Sequence, residues 1–236
     1  IAVVTEITKE RGNYSGKIKE IIEISGLPVI NDSDFTFWNW IAEYYLCTLG
    51  EVYKAAYPGL VKDLTKKKSR NGALKSFKTH SLPELSQHQS NAIEKIRIEL
   101  SEKNPVLLRG EPGSGKSELY FRLADDFIKA GKSTLLLLPE IAVSQQIIKR
   151  AQDYFPENLL IYNSRQTSAG KLKIIMALAQ SSKPYLIIGV RSAILLPFRN
   201  LGLVIVDEEQ DPSYKQYEPA PRFNARDASL ILAKAH

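Results

Sequence analysis

Cysteine is almost missing from this 236-residue sequence, where Cys47 stands alone. A single thiol excludes a disulfide framework and any multi-cysteine zinc site within the stretch. Its aromatic helical surroundings suit a small buried hydrophobe better than a reactive thiol. The scarcity fits a reducing cytoplasm. Long hydrophobic runs are missing too. Leu135–Leu138 and Leu203–Val206 are far too short to cross a bilayer, so no membrane association is expected. No secretory signal pattern opens the chain. Its first residue is Ile1, and Ile1-Ala2-Val3-Val4-Thr5 reads like the middle of a strand, so a piece of a longer protein is expected. The rest is ordinary for a globular protein, with 44% hydrophobic and 25% charged residues. The length allows one or two domains with a substantial core.

Acidic residues are scarce in one place. Between Val61 and His80, the positive residues Lys62, Lys66, Lys67, Lys68, Arg70, Lys75 and Lys78 face only Asp63. That tract holds the whole +6 excess of the chain, and the remainder is balanced. A solvated linker and a phosphate-contacting segment are both compatible with it.

The most informative run is Gly110-Glu111-Pro112-Gly113-Ser114-Gly115-Lys116-Ser117. It fits the phosphate-loop pattern G-x-x-x-x-G-K-[ST] at every fixed position. An apolar segment, Val106-Leu107-Leu108, leads in, and a helical stretch to about Ala130 leads out. Gly110, Gly113 and Gly115 let the backbone curl its N–H groups toward phosphate oxygens, and the helix N-terminus adds its positive end. Lys116 is expected on the terminal phosphates, and the Ser117 hydroxyl on magnesium.

The pattern N-terminal to this loop is mixed. Residues 1–28 alternate short apolar stretches, Ala2–Val4 and Lys19–Ile24, with turns at Gly12-Asn13 and Gly16. Asn31-Asp32-Ser33-Asp34 then precede Phe37, Trp38, Ile41, Tyr44, Tyr45 and Leu46, spaced for an amphipathic helix. A second short helix is expected over Glu51–Ala56, stopped by Pro58-Gly59. Trp38 and Trp40 at helical spacing are read as core rather than as a base-stacking platform. Ser86 can cap a helix running through Ile93, Ile96 and Leu100. From there the chain alternates. Strands are expected at 106–109, 134–138, 159–162, 185–189 and 203–206, with helices at about 117–130, 141–154 and 168–180. This predicts an α/β fold with a parallel sheet covered on both faces, its loops at the strand C-termini forming the site.

Leu203-Val204-Ile205-Val206 delivers Asp207-Glu208-Glu209-Gln210. A buried strand ending in carboxylates downstream of a phosphate loop is a Walker B arrangement. Asp207 is expected to orient magnesium opposite Ser117, and Glu208 to polarise the attacking water. Small-molecule kinases and GTPases do not usually carry Asp-Glu-Glu-Gln, and the LSGGQ signature of transport ATPases is missing. The tetrad looks like that of superfamily-two helicases and translocases.

Further segments narrow the resemblance. Pro139-Glu140-Ile141-Ala142, Gly189-Val190-Arg191-Ser192-Ala193, Pro197–Leu203, Ser213-Tyr214-Lys215-Gln216 and Pro221–Asp227 resemble the PriA-type primosomal helicase family. Trp40–Tyr45 and Leu49–Ala56 resemble the segment that closes that family's N-terminal DNA-binding domain. The resemblance implies a DEXH-type ATP-dependent helicase moving 3′ to 5′ that reloads the replication machinery at stalled forks. It implies ATP and magnesium as cofactors and branched or single-stranded DNA as partner, with primosome and single-strand-binding proteins in the full-length context. By position, Gln89 matches the glutamine that recognises adenine. The Pro139–Ala142 turn, Arg191 and Ser192 match segments near the DNA path. Residues 211–222 match an aromatic-rich loop coupling DNA binding to hydrolysis. There Tyr214 and Tyr217 can stack on bases, and Lys215 and Arg222 can meet phosphate.

Three departures accompany the resemblance. Gln210 stands where the family usually has His, and it has no titratable proton. The family's winged-helix domain has no counterpart before the phosphate loop, where only the basic linker lies. The chain stops at His236, before a second motor lobe with an arginine finger and a cysteine-rich zinc insertion. Zinc is therefore expected only beyond this stretch, and the chain alone is expected to be nearly inactive. The expected organisation is residues 1–29 as the end of an N-terminal DNA-binding β domain and 30–60 as a helical connector. Residues 61–84 follow as basic linker, and 85–236 as a first RecA-like helicase lobe. A different superfamily-two DNA translocase and a non-catalytic DNA-binding scaffold remain as alternatives.

Overall fold

The computed structural model describes residues 15–16, 28–57, 80–139 and 145–236. The expected strand ends in residues 1–28, the basic tract and most of the Pro139–Ala142 turn lie outside them.

Among the described residues four parallel strands form the sheet: β1 (Ser133–Leu137), β2 (Leu159–Tyr162), β3 (Leu186–Gly189) and β4 (Leu201–Val206), in the order β2-β3-β1-β4. Short apolar runs of this kind are stable only when both faces are covered. Every residue of β1 and β3 is buried. Alternation along β1 sends Leu135 and Leu137 to one face and Leu136 and Leu138 to the other. The register aligns Leu137 with Gly189 and with Val206, and Tyr162 with Gly189. The strand C-termini therefore meet at one edge.

Among the described residues, seven α-helices flank the sheet. Two lie near the start of the chain: α1 (Asp32–Tyr44) and α2 (Leu49–Ala56). The Asn31 side chain caps α1 by accepting from the Asp34 amide at 2.8 Å. Thr48 and Glu51 form a reciprocal capping box on α2. α1 ends earlier than the aromatic periodicity predicts. Leu46 has φ 50° and is 93% exposed, so it continues neither the helix nor its apolar face. Trp38 is core, at 1% exposure. Trp40 is half-buried and stacks on Tyr44 at 4.8 Å.

These two helices pack against the sheet domain. Phe37, Trp38, Ile41 and Val52 share one core cluster with Leu195, Phe198 and Leu232. That cluster also holds α6 (Ser168–Gln180) and α7 (Ala225–Ala235). A buried polar joint locks the contact. The Asp34 carboxylate accepts from the Phe198 amide at 3.2 Å and from Asn31 Nδ2 at 2.7 Å, and it lies 3.2 Å from His236 Nε2. Asn31 Nδ2 also donates to the Phe198 carbonyl at 2.8 Å.

The opposite face carries α4 (Lys116–Lys129) and α5 (Gln145–Tyr154), with Phe121, Ala124, Ala151 and Phe155 on Leu136, Leu138 and Ile188. α3 (Gln87–Ser101) adds Ile93 and Ile96 against Leu119 and Leu123 of α4 and Leu203 of β4. Ser86 and Gln89 form its capping box.

One expected element does not form. Residues 106–109 form no regular element and pair with no described strand, and β4 is an edge of the sheet. A strand requires a hydrogen-bonded neighbour, and no described strand pairs with this segment. Leu108 is anchored in the core, whereas Leu107 is 79% exposed.

Candidate nucleotide-binding site

The phosphate loop follows the unpaired segment 106–109 and ends on a 14-residue helix. Gly113 and Gly115 have φ of 81° and 82°, the left-handed region that L side chains rarely adopt. Gly115 is itself the N-cap of α4, with no side-chain cap on the helix. The first-turn amides of Lys116 and Ser117 have no carbonyl a turn earlier within the helix to bond. They sit at the positive end of its dipole. A glycine-built turn with free amides and a helix N-terminus suits the chemistry of a phosphate chain.

Gln89 reaches this loop. Its Oε1 accepts from the Ser86 amide at 2.9 Å, while Nε2 approaches the Gly115 carbonyl at 3.4 Å. A Cβ on Gly115 would collide with that amide. Gln89 therefore caps α3 and lies against the phosphate loop at once.

The acidic motif comes to the same place. Lys116 Nζ donates to the Gly110 carbonyl at 2.7 Å and lies 3.7 Å from Glu208 Oε1. Glu208 has φ 48°, a turn immediately after the strand. Gln210 Nε2 donates to its other oxygen, Oε2, at 2.8 Å. Asp207 is held at three atoms. Its amide donates to the Leu137 carbonyl at 3.0 Å, its carbonyl accepts from Tyr214 Oη at 2.6 Å, and Oδ1 accepts from Tyr120 Oη at 2.9 Å. Burial, followed by the nearby Asp207 charge, pushes both tyrosine hydroxyls well above their ordinary range, so they remain neutral donors. Sequence reasoning missed Tyr120. Its signal was its position, one helical turn after Lys116 on the sheet-facing side of α4.

No three His, Cys, Asp or Glu side chains converge to hold a metal among the described residues. Magnesium with a nucleotide does not need them, since one or two carboxylates and the substrate's phosphates suffice. Ser117 on the first turn and Asp207 at the strand end fit that requirement.

The residues expected near DNA divide. Arg191 and Ser192 lie in a 3-10 helix, Arg191–Leu195, directly after β3. Arg191 donates to the Ser213 carbonyl at 3.1 Å, tying that turn to the loop over 211–222. Lys215 Nζ donates to the Arg222 carbonyl at 2.6 Å and lies 5.5 Å from the Tyr45 ring centre. Arg222 is exposed, 3.6 Å from Glu218. Tyr214 corrects the base-stacking expectation. Its ring is 1% exposed and its hydroxyl also reaches the Leu137 carbonyl at 3.1 Å. A buried ring closing two strand ends presents no face to a base. Tyr217 is 70% exposed. The loop closes on itself through Gln216, whose Nε2 donates to the carbonyls of Pro219 and Pro221.

No helix among the described residues is long and apolar enough to cross a membrane. In comparison with known proteins, the DEAD/DEAH box helicase family matches residues 86–227, more than half of the chain. A 3′ DNA-binding domain matches residues 1–58, the span that carries α1 and α2. The chain is 41% identical over 193 residues to the replication restart protein PriA of Rickettsia felis, covering 81% of this chain and 28% of the relative. It is 38% identical to that of Helicobacter pylori strain J99, covering 82% and 29%. The Treponema pallidum protein of the same name is 31% identical over 93% of this chain and 33% of its own length. The chain thus spans about a third or less of the relatives it matches.

Proposed function

Because the chain belongs to the DEAD/DEAH box helicase family, we propose that it is the ATP-binding motor lobe of a replication-restart DNA helicase moving 3′ to 5′. The observation that carries this reading is the meeting of the phosphate loop and the acidic motif, with Lys116 3.7 Å from Glu208 and Asp207 bonded to the helix that Lys116 begins. In this reading, residues 85–236 are the first RecA-like lobe and residues 1–29 the end of the DNA-binding β domain. Residues 30–60 connect them, and 61–84 are a basic linker.

Magnesium bound with ATP would neutralise the developing charge on the phosphates and hold them in line. The chain's own residues do the rest. The amides at Gly113–Ser117 bind the phosphate oxygens, and Lys116 exchanges the Gly110 carbonyl for the terminal phosphates. Ser117 and Asp207 hold magnesium, and Gln89 reads adenine. Glu208 orients a water for attack, released from the Lys116 and Gln210 contacts that occupy it here. Arg191, Ser192, Lys215 and Arg222 face the DNA path. Tyr214 acts as a coupling strut between the 211–222 loop and Asp207, and Gln210 serves the same coupling from the glutamate side. Single-stranded or forked DNA is the partner, with primosome and single-strand-binding proteins joining the longer protein in the cytoplasm. Any zinc belongs to residues beyond this span.

A trans-acting arginine supplies roughly 10³–10⁵ of the rate in related phosphoryl transfers. We therefore expect these 236 residues to bind Mg-ATP with little turnover. The test measures ATP hydrolysis by the protein extended to its relatives' length, with forked and plain duplex DNA. Preferential stimulation by forks supports the reading. Equal stimulation by plain duplex points instead to a general translocase.

A further inference from the structure

Tyr120 lies on α4 four residues after Lys116 and three after Ser117, so its side chain neighbours each of theirs on the helix surface. Its ring is 7% exposed and packs in the cluster formed by Phe121, Leu136 and Leu138. The buried ring leaves its hydroxyl little freedom, and that hydroxyl donates to Asp207 Oδ1 at 2.9 Å. Asp207 emerges from β4 with its main chain already fixed on both sides, by the Leu137 carbonyl and by Tyr214. What remains to be set is the carboxylate's rotation, and the Tyr120 hydroxyl is the side-chain donor that sets it.

We propose that Tyr120 is a positioning residue for the divalent cation of a bound nucleotide. Its hydroxyl holds one oxygen of Asp207 and leaves the other directed at the cation. One helix then sets both sides of the cation site, Ser117 directly and Asp207 through Tyr120. This inference rests on the nucleotide-binding reading above and adds a residue to it.

The test is calorimetric binding of ADP to this chain, with magnesium chloride and with EDTA, for wild type, Tyr120→Phe, Asp207→Asn and the double variant. Thermal melting of each accompanies the titrations. Tyr120→Phe removes one oxygen and keeps the ring in its cluster. We expect the gain in ADP affinity from magnesium to fall roughly ten-fold in Tyr120→Phe, the scale of a hydrogen bond to a charged group. Magnesium-free ADP affinity should stay at the wild-type value. In the Asp207→Asn background, Tyr120→Phe should have no further effect on the magnesium gain. An unchanged magnesium gain overturns the proposal. So does equal weakening with and without magnesium, which marks a merely structural tyrosine, or full additivity in the double variant. If wild type binds no ADP under either condition, the nucleotide-binding reading itself falls, and the proposal with it.

Discussion

Replacing Asp34 with alanine tests the docking of α1 on the sheet domain. The Asp34 side chain is 1% exposed, yet it joins distant segments by accepting from the Phe198 amide 164 residues on and facing His236, 202 residues on. Alanine leaves the buried Phe198 amide without that acceptor and frees Asn31 Nδ2 of one of its two partners. An unsatisfied buried donor costs about 1–3 kcal/mol, offset in part by no longer burying a carboxylate. We expect a net loss of about 2 kcal/mol. At roughly 2–4 °C per kcal/mol for a domain of this size, the melting midpoint should fall by about 4–8 °C. Asp34→Asn keeps a carbonyl for Phe198 but sets an amide against the Asn31 amide, so a smaller drop is expected.

Burial is the largest influence on Asp34 and raises its pKa, against the opposing pull of His236, the Phe198 amide and Asn31. The folded chain then holds this proton more tightly than the unfolded chain. The contribution is complete below the unfolded value and is lost as pH rises through the folded one. The advantage of wild type over Asp34→Asn should therefore grow as pH is lowered from about 7 to about 4. Differential scanning fluorimetry across that range reads both effects. A midpoint unchanged in Asp34→Ala would refute the joint, and an advantage that shrinks on acidification would refute the direction of the pKa shift.

Two further substitutions probe the site. Tyr214→Phe removes the hydroxyl shared by the Asp207 and Leu137 carbonyls and should cost about 1 kcal/mol in chemical denaturation. A variant as stable as wild type would mean that these bonds do not close the strand ends. Gly115→Ala places a Cβ at φ 82° against Gln89, with a strain of about 1–2 kcal/mol. Titration with Mg-ADP should show affinity reduced by roughly 5–30-fold, the conversion of that strain if it falls on the bound loop. Retained affinity would show that the loop tolerates another conformation.

The readable parts of the sequence were those governed by local rules. Ser86 and Asn31 announce helix starts because capping needs only a few neighbouring residues, whereas the Thr48 cap went unread and α2 begins at Leu49, two residues before the expected Glu51. The short apolar runs at β1 to β4 announce buried parallel strands because both faces must be covered. The phosphate loop and Asp207-Glu208 were legible as types, since their chemistry demands those residues. What escaped depends on distant partners. Residues 106–109 have strand composition, but pairing is decided by a neighbour the local sequence does not name. Tyr214 sits in a Pro-punctuated stretch that reads as exposed, yet its hydroxyl closes carbonyls on two strands. Tyr120 and Asp207 are 87 residues apart, so nothing local ties them. Phe37, Trp38 and Ile41 of the expected stripe form a core while Tyr44 and Leu46 are exposed, and the surface that completes that core lies at Leu195–Phe198.

The central claim is that Gly110–Ser117 and Asp207-Glu208 form one nucleotide site around Lys116. Its most direct test is the affinity of this chain for Mg-ATP with Lys116 intact and as Lys116→Ala. The account predicts saturable binding by wild type and affinity weakened at least ~10-fold in the variant, as expected when a charge-assisted contact is lost, with melting nearly unchanged. No binding by wild type, or equal binding by the folded variant, would contradict it.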